Sequence, residues 1–275
     1  MKIVSWNIGR RAACWDCLLD MDADVALLQE AAEPPPELAE RIDVDPAPWN
    51  LAGGDCYQAR AWRAAIVRLS ERVQVEWIEA KSIDAAGIGE LAVSRLGTLA
   101  AAHVTSPGRE PIVCVSMYAP WTSPHASTES SDIVSDVSAH RILSDLSAFI
   151  GRRRGHRIVA AGDLNVLHGH GEYGNTYWKG RYETVFTRMK ALGLPFVGPQ
   201  HPHGRQADPW PEELPKDSKN VPTYYHSRQT PATATRQLDF VFASEGLADS
   251  LTVRALNAPE QWGPSDHCRV EIEIA

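Results

Sequence analysis

The chain lacks any apolar run approaching the ~18 residues that a membrane-crossing helix needs, so a helical membrane protein is excluded and no membrane partner is expected. It is also short of positive charge. Lys and Arg number 27 against 35 Asp and Glu, a net charge of -8 with a pI near 5.7, which excludes tight non-specific adhesion to a polyanion at physiological salt. Any contact with nucleic acid must therefore be local. Cysteine is scarce: the five residues form no disulfide ladder, and Cys114 and Cys268 lie in apolar runs where thiols simply pack. Cys14-Trp15-Asp16-Cys17 has redox-pair spacing but no partner ligands. No internal repeat is present. No charged leader or apolar h-region precedes Lys2-Ile3-Val4-Ser5-Trp6. A reducing cytoplasm is the expected location, and nothing signals an obligate protein partner.

What the chain does have is length and apolar content, 275 residues at 44% hydrophobic, enough to bury a substantial core. Val25–Leu28, Ala64–Val67, Val73–Ile78 and Ile112–Met117 read as short β-branched strands, with further strands over 98–104, 157–162, 238–243, 250–256 and 268–274. Two helices are predicted. One covers 133–150, capped by Asp132; the other covers 181–192 and ends at Gly193. Mostly adjacent strands with few long helices point to two packed sheets covered by helices rather than a doubly wound parallel sheet. Glu33-Pro34-Pro35-Pro36 reads as a stiff loop. Residues 195–236, rich in proline, read as a long loop with no convincing core element beyond Thr223-Tyr224-Tyr225, and such loops are functional or mobile.

Six polar motifs stand where apolar runs stop: Trp6-Asn7, Gln29-Glu30, Tyr118-Ala119-Pro120, Gly162-Asp163-Leu164-Asn165, Leu238-Asp239 and Ser265-Asp266-His267. They span positions 6 to 267, so one catalytic domain over 1–275 is the economical expectation. Strand ends would bring these groups to one rim, a composition suited to a hard divalent cation and a phosphate ester. Glu30 and Asn7 supply an anionic and a neutral oxygen ligand for Mg²⁺, with Mn²⁺ as a substitute, and Asp266 a further metal or metal-water ligand. Asp163 and Asn165 alternate along an extended segment and should face one way. Asp163 would accept a proton from the attacking water, and Asn165 would donate to phosphate. His267 needs an acidic partner to fix its tautomer and raise its pKa. Asp239 is that candidate, because Asp266 precedes His267 directly and would point away from it. Tyr118 would donate its hydroxyl to a phosphate or leaving oxygen.

With these residues in view, the chain resembles the endonuclease/exonuclease/phosphatase superfamily over nearly its whole length. Tyr118-Ala119-Pro120 is most similar to the exonuclease III and AP endonuclease branch. The resemblance implies a four-layered α/β sandwich, two packed and mainly antiparallel sheets flanked by helices, with the site at one end. It implies metal binding by Glu30 with Asn7 and Asp266 nearby, and water activation by Asp163. It likewise implies phosphate contacts by Asn165 and His267, orientation of His267 by Asp239, and transition-state support from Tyr118. Two departures matter. Glu30 is followed by Ala31-Ala32 where branch members carry Thr-Lys, and Arg236 stands where many AP endonucleases carry tryptophan. Specificity for abasic sites is therefore not expected.

Residues 168–236 hold nine Lys and Arg against six acids, so a locally basic face interleaved with Tyr177, Trp178, Tyr182, Trp210, Tyr224 and Tyr225 is available to touch phosphates and stack bases. Within it, His168, Trp178 and Arg236 are the candidate substrate contacts, and Trp121 and Trp262 the candidate pocket walls. His168-Gly169-His170 and His201-Pro202-His203 are not read as zinc sites, since no cysteine lies close to either. His103 ends a different strand and receives no catalytic role. Three readings follow: a Mg²⁺-dependent nuclease cutting DNA or RNA by in-line attack of water, a phosphohydrolase of smaller esters with the long loop as a lid, and a non-catalytic nucleic-acid-binding module.

Overall fold

The computed structural model describes residues 1–51, 59–88, 90–121, 136–151 and 155–275. The first half of the chain forms β1 (Lys2–Asn7), α1 (Ala12–Leu19), β2 (Val25–Ala32), α2 (Pro36–Ala39), β3 (Asp43–Val44), β4 (Trp62–Arg68), β5 (Gln74–Ile78), β6 (Ala80–Ser82), β7 (Leu91–Val93), β8 (Leu99–Thr105) and β9 (Ile112–Tyr118). The second half forms α3 (Asp136–Leu146), β10 (Ile158–Asp163), α4 (Thr176–Ala191), β11 (Phe196–Gly198), β12 (Asp239–Ala243), α5 (Glu245–Ala248), β13 (Leu251–Leu256) and β14 (Arg269–Ile274).

Two six-stranded sheets result, ordered β13-β14-β1-β2-β4-β3 and β11-β12-β10-β9-β8-β5, with β6-β7 as a separate small pair. Each large sheet has one parallel pairing at its centre, β1 with β2 and β9 with β10, and antiparallel pairings elsewhere. The alternation of strand side chains explains the layers. Ile3, Val25, Leu27 and Ile66 from the first sheet meet Cys114, Val159, Ala161 and Val241 from the second in one inter-sheet core. The intervening Val4, Trp6, Ala26 and Leu28 face outward onto Cys14, Trp15 and Leu18 of α1. On the far side Val115, Met117, Ala160 and Phe240 pack against Ala139, Ile142 and Leu143 of α3 and Tyr182, Val185 and Met189 of α4. The fold is the four-layered α/β sandwich expected, with mixed sheets.

Helix boundaries differ from the sequence reading. Asp132 and the first three positions of the 133–150 helix lie outside the described residues, and α3 gives way to a 3-10 turn at Ser147–Phe149. Helix α4 starts five residues earlier than expected, because the Asn175 side chain accepts from the backbone N–H groups of Tyr177 (2.9 Å) and Trp178 (3.4 Å). Its end is as read: Gly193 adopts φ +77° and its N–H donates to the Lys190 carbonyl. Helix α1 was missed, and Pro36 starts a short helix rather than ending a loop.

One glycine fixes how closely β9 and β10 approach at the site. A Cβ on Gly162, which has φ +152°, would lie 1.9 Å from the Met117 carbonyl oxygen. Gly162→Ala is therefore expected to lower stability by about 3 kcal/mol, the upper range for overpacking, measured as a fall in the denaturant midpoint at unchanged slope. An unchanged midpoint would show that the strands can separate there without cost.

Candidate active site

The inner-face alternation that fills the core with apolar groups ends in polar ones. On β1 the inward positions run Ile3, Ser5, Asn7; on β9, Cys114, Ser116, Tyr118; on β10, Val159, Ala161, Asp163; and Asp239 pairs directly opposite Asp163. Glu30 would face outward by the same parity, with Ala26 and Leu28. A bulge between Leu28 and Ala31, with Glu30 at φ +46°, turns it to the inner side instead. The Arg10 N–H holds the Glu30 carbonyl at 2.9 Å.

Asn7 joins the sheets. Its Nδ2 donates to Asp163 Oδ2 at 2.9 Å and to Glu30 Oε1 at 3.3 Å, while its Oδ1 accepts the Gly9 N–H at 2.9 Å. The oxygen expected to face a metal is thus already engaged once, and the amide hydrogens face the two carboxylates. Asp163 is buried and also accepts the backbone N–H (2.9 Å) and side-chain Nδ2 (3.0 Å) of Asn165. Asn165 does not continue an extended segment as expected. It sits at φ +50° in a turn closed on the Asp163 carboxylate, and its second amide hydrogen reaches the Ala119 carbonyl at 3.2 Å. Asn165 therefore positions Asp163, and the predicted phosphate contact would require it to give up one of these bonds.

His267 Nδ1 lies 2.8 Å from Asp239 Oδ2, and its Nε2 lies 3.9 Å from Asp163 Oδ2. Burial pulls the imidazole pKa down, but Asp239 and Asp163 outweigh it and raise it to about 10. Burial raises the Asp163 pKa to about 7, against the pull of His267 and with the push of Asp239 and Glu30. The Tyr118 hydroxyl is driven well above its ordinary range by burial and by Glu30 and Asp163, so it stays a hydrogen-bond donor. Its ring packs edge-on against Trp62 at 5.2 Å.

The segment read as a long loop builds this pair's framework. Thr223 Oγ1 accepts the N–H groups of Leu238 (3.0 Å) and Asp239 (3.1 Å), and the Thr223 carbonyl accepts the Cys268 N–H at 2.8 Å. Tyr224 bridges to both Arg236 and His267 and packs its ring 4.9 Å from the imidazole. Ser265 Oγ donates to the Asn7 carbonyl at 2.6 Å, and Trp6 Nε1 donates to the His267 carbonyl at 2.9 Å, tying the Ser265-Asp266-His267 turn to the end of β1. Thr223 and Tyr224 are thereby fixed as part of the wall of the site.

A cavity of about 650 Å³ opens over the cluster, with Glu30, Tyr118, Asp163, Asn165, Asp266 and His267 in its lining and Asn7 and Asp239 behind them. Arg10, 3.6 Å from Glu30, and Arg11, 3.3 Å from Asp266, stand at its rim. Sequence reading missed both, although they follow Asn7 by only a few residues. Asp266 faces Arg11 and away from His267, as its position in the chain required.

Of the three substrate candidates, Arg236 lines the cavity but is clasped by Glu172, at 2.8 and 3.4 Å. Trp178 does not reach it and stacks with Tyr182 instead, centroids 6.0 Å apart. His168 is a correction: it is packed among Phe186 (4.6 Å) and Phe196 (4.8 Å), with Nδ1 3.1 Å from Asn220 Oδ1, and burial lowers its pKa. Three residues of chain from Asn165 did not place it at the site, because aromatic packing claimed it. Trp262 is buried against Tyr225, not in the cavity, whereas Trp121 is in the lining. Cys14 is buried, and burial first, with Cys17, pushes its pKa up to about 12, which leaves no thiolate for redox chemistry.

Among the described residues no cluster of three or more carboxylate, histidine or cysteine groups could hold a metal by itself. Glu30 faces the cavity, engaged by a long bond from Asn7, a loose ion pair to Arg10 and the Tyr118 hydroxyl. Accessible carboxylates from Glu30 and Asp266 among neutral oxygens fit Mg²⁺, which keeps most of its waters, and do not fit zinc.

A buried carboxylate poised beside a carboxylate-held imidazole, with a phenol donor and an open anionic ligand across the cavity, is the equipment of a phosphoester hydrolase. The chain belongs to the Endonuclease/Exonuclease/phosphatase family, whose model matches residues 4–267. No curated protein matches the chain in sequence. Solved structures of similar fold include the catalytic domain of Xenopus laevis APE2, at 16% identity and TM-score 0.61, covering 100% of this chain and 91% of that one. An AP endonuclease from Archaeoglobus fulgidus has 18% identity and TM-score 0.58, covering 100% and 99%. The 3' phosphatase NExo from Neisseria, bound to product DNA hairpin, has 19% identity and TM-score 0.54, covering 100% and 99%. At such identities what these structures share with the chain is the fold.

Proposed function

We propose that the protein is a Mg²⁺-dependent phosphodiesterase acting on nucleic acid. The observation that carries this reading is the convergence of Asp163 with the Asp239–His267 pair, 3.9 Å apart at their nearest atoms, under one open cavity. Water attacks phosphorus in line with the leaving oxygen, so that one P–O bond forms as the opposite one breaks. Asp163 takes the water's proton, held in place by Asn7 and Asn165. Charged His267 faces the non-bridging oxygens, and Tyr118 donates a hydrogen bond to the leaving oxygen. The cation, held by Glu30 with Asn7 and Asp266 nearby, would neutralise charge on the phosphate. The product DNA hairpin bound by the Neisseria 3' phosphatase of similar fold, and the basic balance of 168–236, support a nucleic acid over a small ester.

The test is turnover of single-stranded and duplex DNA, RNA and a panel of small phosphate esters with Mg²⁺, Mn²⁺ or EDTA. Cleavage of small esters alone would overturn the nuclease reading, and no turnover with any metal would favour a binding module. Glu30→Gln is expected to raise the Mg²⁺ needed for half-maximal rate by roughly 10-fold or more, since even outer partners of a metal ligand matter on that scale. An unchanged Mg²⁺ requirement would remove Glu30 from the metal.

A further inference from the structure

Beside the catalytic cavity lies a second, of about 610 Å³, and Trp121, Tyr173 and Arg236 line both. Two features set it apart. Its charged lining among the described residues is the Arg236–Glu172 pair, closed on itself by bonds of 2.8 and 3.4 Å, so these residues offer no free charge to a second phosphate. The rest is largely aromatic, with Trp178 and Tyr182 as one wall.

At the seam between the cavities stand two rings the fold does not use. Tyr173 is 92% exposed and Trp121 44% exposed, and among the described residues neither packs against another ring. Exposure of a large aromatic ring is unfavourable, and here it is enforced. Tyr173 sits at φ +51°, ψ +33°, an outlier for a bulky side chain. Gly171, where a Cβ would lie 2.1 Å from the Asn175 carbonyl, and Gly174 at φ +74° make the turn around it, and Asn175 anchors that turn as the cap of α4. The backbone is strained to hold an aromatic face at the mouth of an aromatic-walled cavity whose charges, among the described residues, are paired with each other.

We propose that this second cavity is a nucleobase subsite. The base of a nucleotide next to the scissile phosphate enters it and stacks on Tyr173 and Trp121, with the Arg236–Glu172 pair offering donors and acceptors to the base edge. A neutral, flat, heteroaromatic group matches both the absence of free charge and the aromatic walls. A base in this position has left its helical stack, so the subsite selects unpaired strand over duplex. The inference rests on the nucleic-acid reading above and deepens it.

The test compares a single-stranded oligonucleotide with the same sugar–phosphate strand lacking bases beside the cleaved bond. Tyr173→Ala and Trp121→Ala are each expected to raise KM on the intact strand by roughly 5- to 100-fold, the range for loss of one base-stacking partner, with kcat kept. KM on the base-free strand should change far less than on the intact strand, since the two rings also line the catalytic cavity, and Tyr173→Phe should restore the intact-strand value. Equal changes on both strands, or none on the intact one, would overturn the subsite. Should the wild type cut no nucleic acid, the nuclease reading fails separately. The subsite is then decided by equilibrium binding of adenosine 5'-monophosphate against ribose 5-phosphate. A preference for the former that Tyr173→Ala removes supports it, and equal binding of the two overturns it.

Discussion

Asp163→Asn is expected to lower the single-turnover cleavage rate by roughly 10²- to 10⁴-fold, the scale of general acid–base effects, while leaving the fold and substrate binding intact. The expectation comes from what surrounds the carboxylate. It is buried at the end of β10 and receives three hydrogen bonds of 2.9 to 3.0 Å from Asn7 and Asn165. Burial, the repulsion of Asp239 and Glu30 and the opposing pull of His267 leave its pKa at about 7. A base poised there is deprotonated often enough to act and basic enough to take a proton from water. Asparagine keeps the shape and can still accept through its oxygen, but it cannot take a proton. The control is circular dichroism and denaturant midpoint alongside the rate. A variant that folds and cleaves within a few-fold of wild type would place the water-activating group elsewhere.

Asp239→Asn should be nearly as severe, a fall in kcat on the order of 10³-fold, through a group that does not line the cavity. Asp239 Oδ2 holds His267 Nδ1 at 2.8 Å. An amide in its place removes the charge and permits the opposite tautomer. The distinguishing readout is the imidazole itself, followed by nuclear magnetic resonance: its midpoint near 10 in the wild type should drop toward the ordinary 6.5. Linkage gives the sign for stability. A folded-state pKa raised above the unfolded value means that the stabilisation is complete below pH 6.5 and is lost as pH rises through about 10. The variant should lack that decline. A wild-type His267 that titrates near 6.5 would mean that the pairing does not govern it, and the kinetic prediction would fall with it.

Much of this site could be read along the chain because a strand side chain's face is set by parity. Asn7, Tyr118 and Asp163 each continue the inward positions of an apolar strand, so Tyr118 and Asp163, neighbours in one sheet, meet Asn7 from the facing sheet. Asp239 opposite Asp163 and the separation of Asp266 from His267 follow from the same rule. Where parity was broken the sequence misled. Asn165 was placed on an extended segment, but its left-handed turn bends it back onto Asp163. His168 was assigned to substrate by its nearness to Asn165, but a phenylalanine cluster drawn from α4, β11 and β12 packs around it, outside the lining of the catalytic cavity. Trp178 was read as a substrate contact, and the side chain of Asn175 places it in the first turn of a helix, outside the catalytic cavity and in the wall of its neighbour.

The periodicity of hydrophobic residues by itself determined two inward-facing sheets, covered by helices, with polar groups at one rim, because apolar burial acts on each strand's pattern locally. Only the tertiary structure decided which groups that rim presents and how they are tuned. The bulge turning Glu30 inward, the Thr223 bridge that brings Asp239 to His267, and the capture of Arg236 by Glu172 all depend on contacts between residues distant in the chain. Desolvation, which raises the Asp163 pKa and opposes the rise at His267, comes only when both sheets close over the cluster. No local pattern encodes the dielectric that two packed sheets create between them.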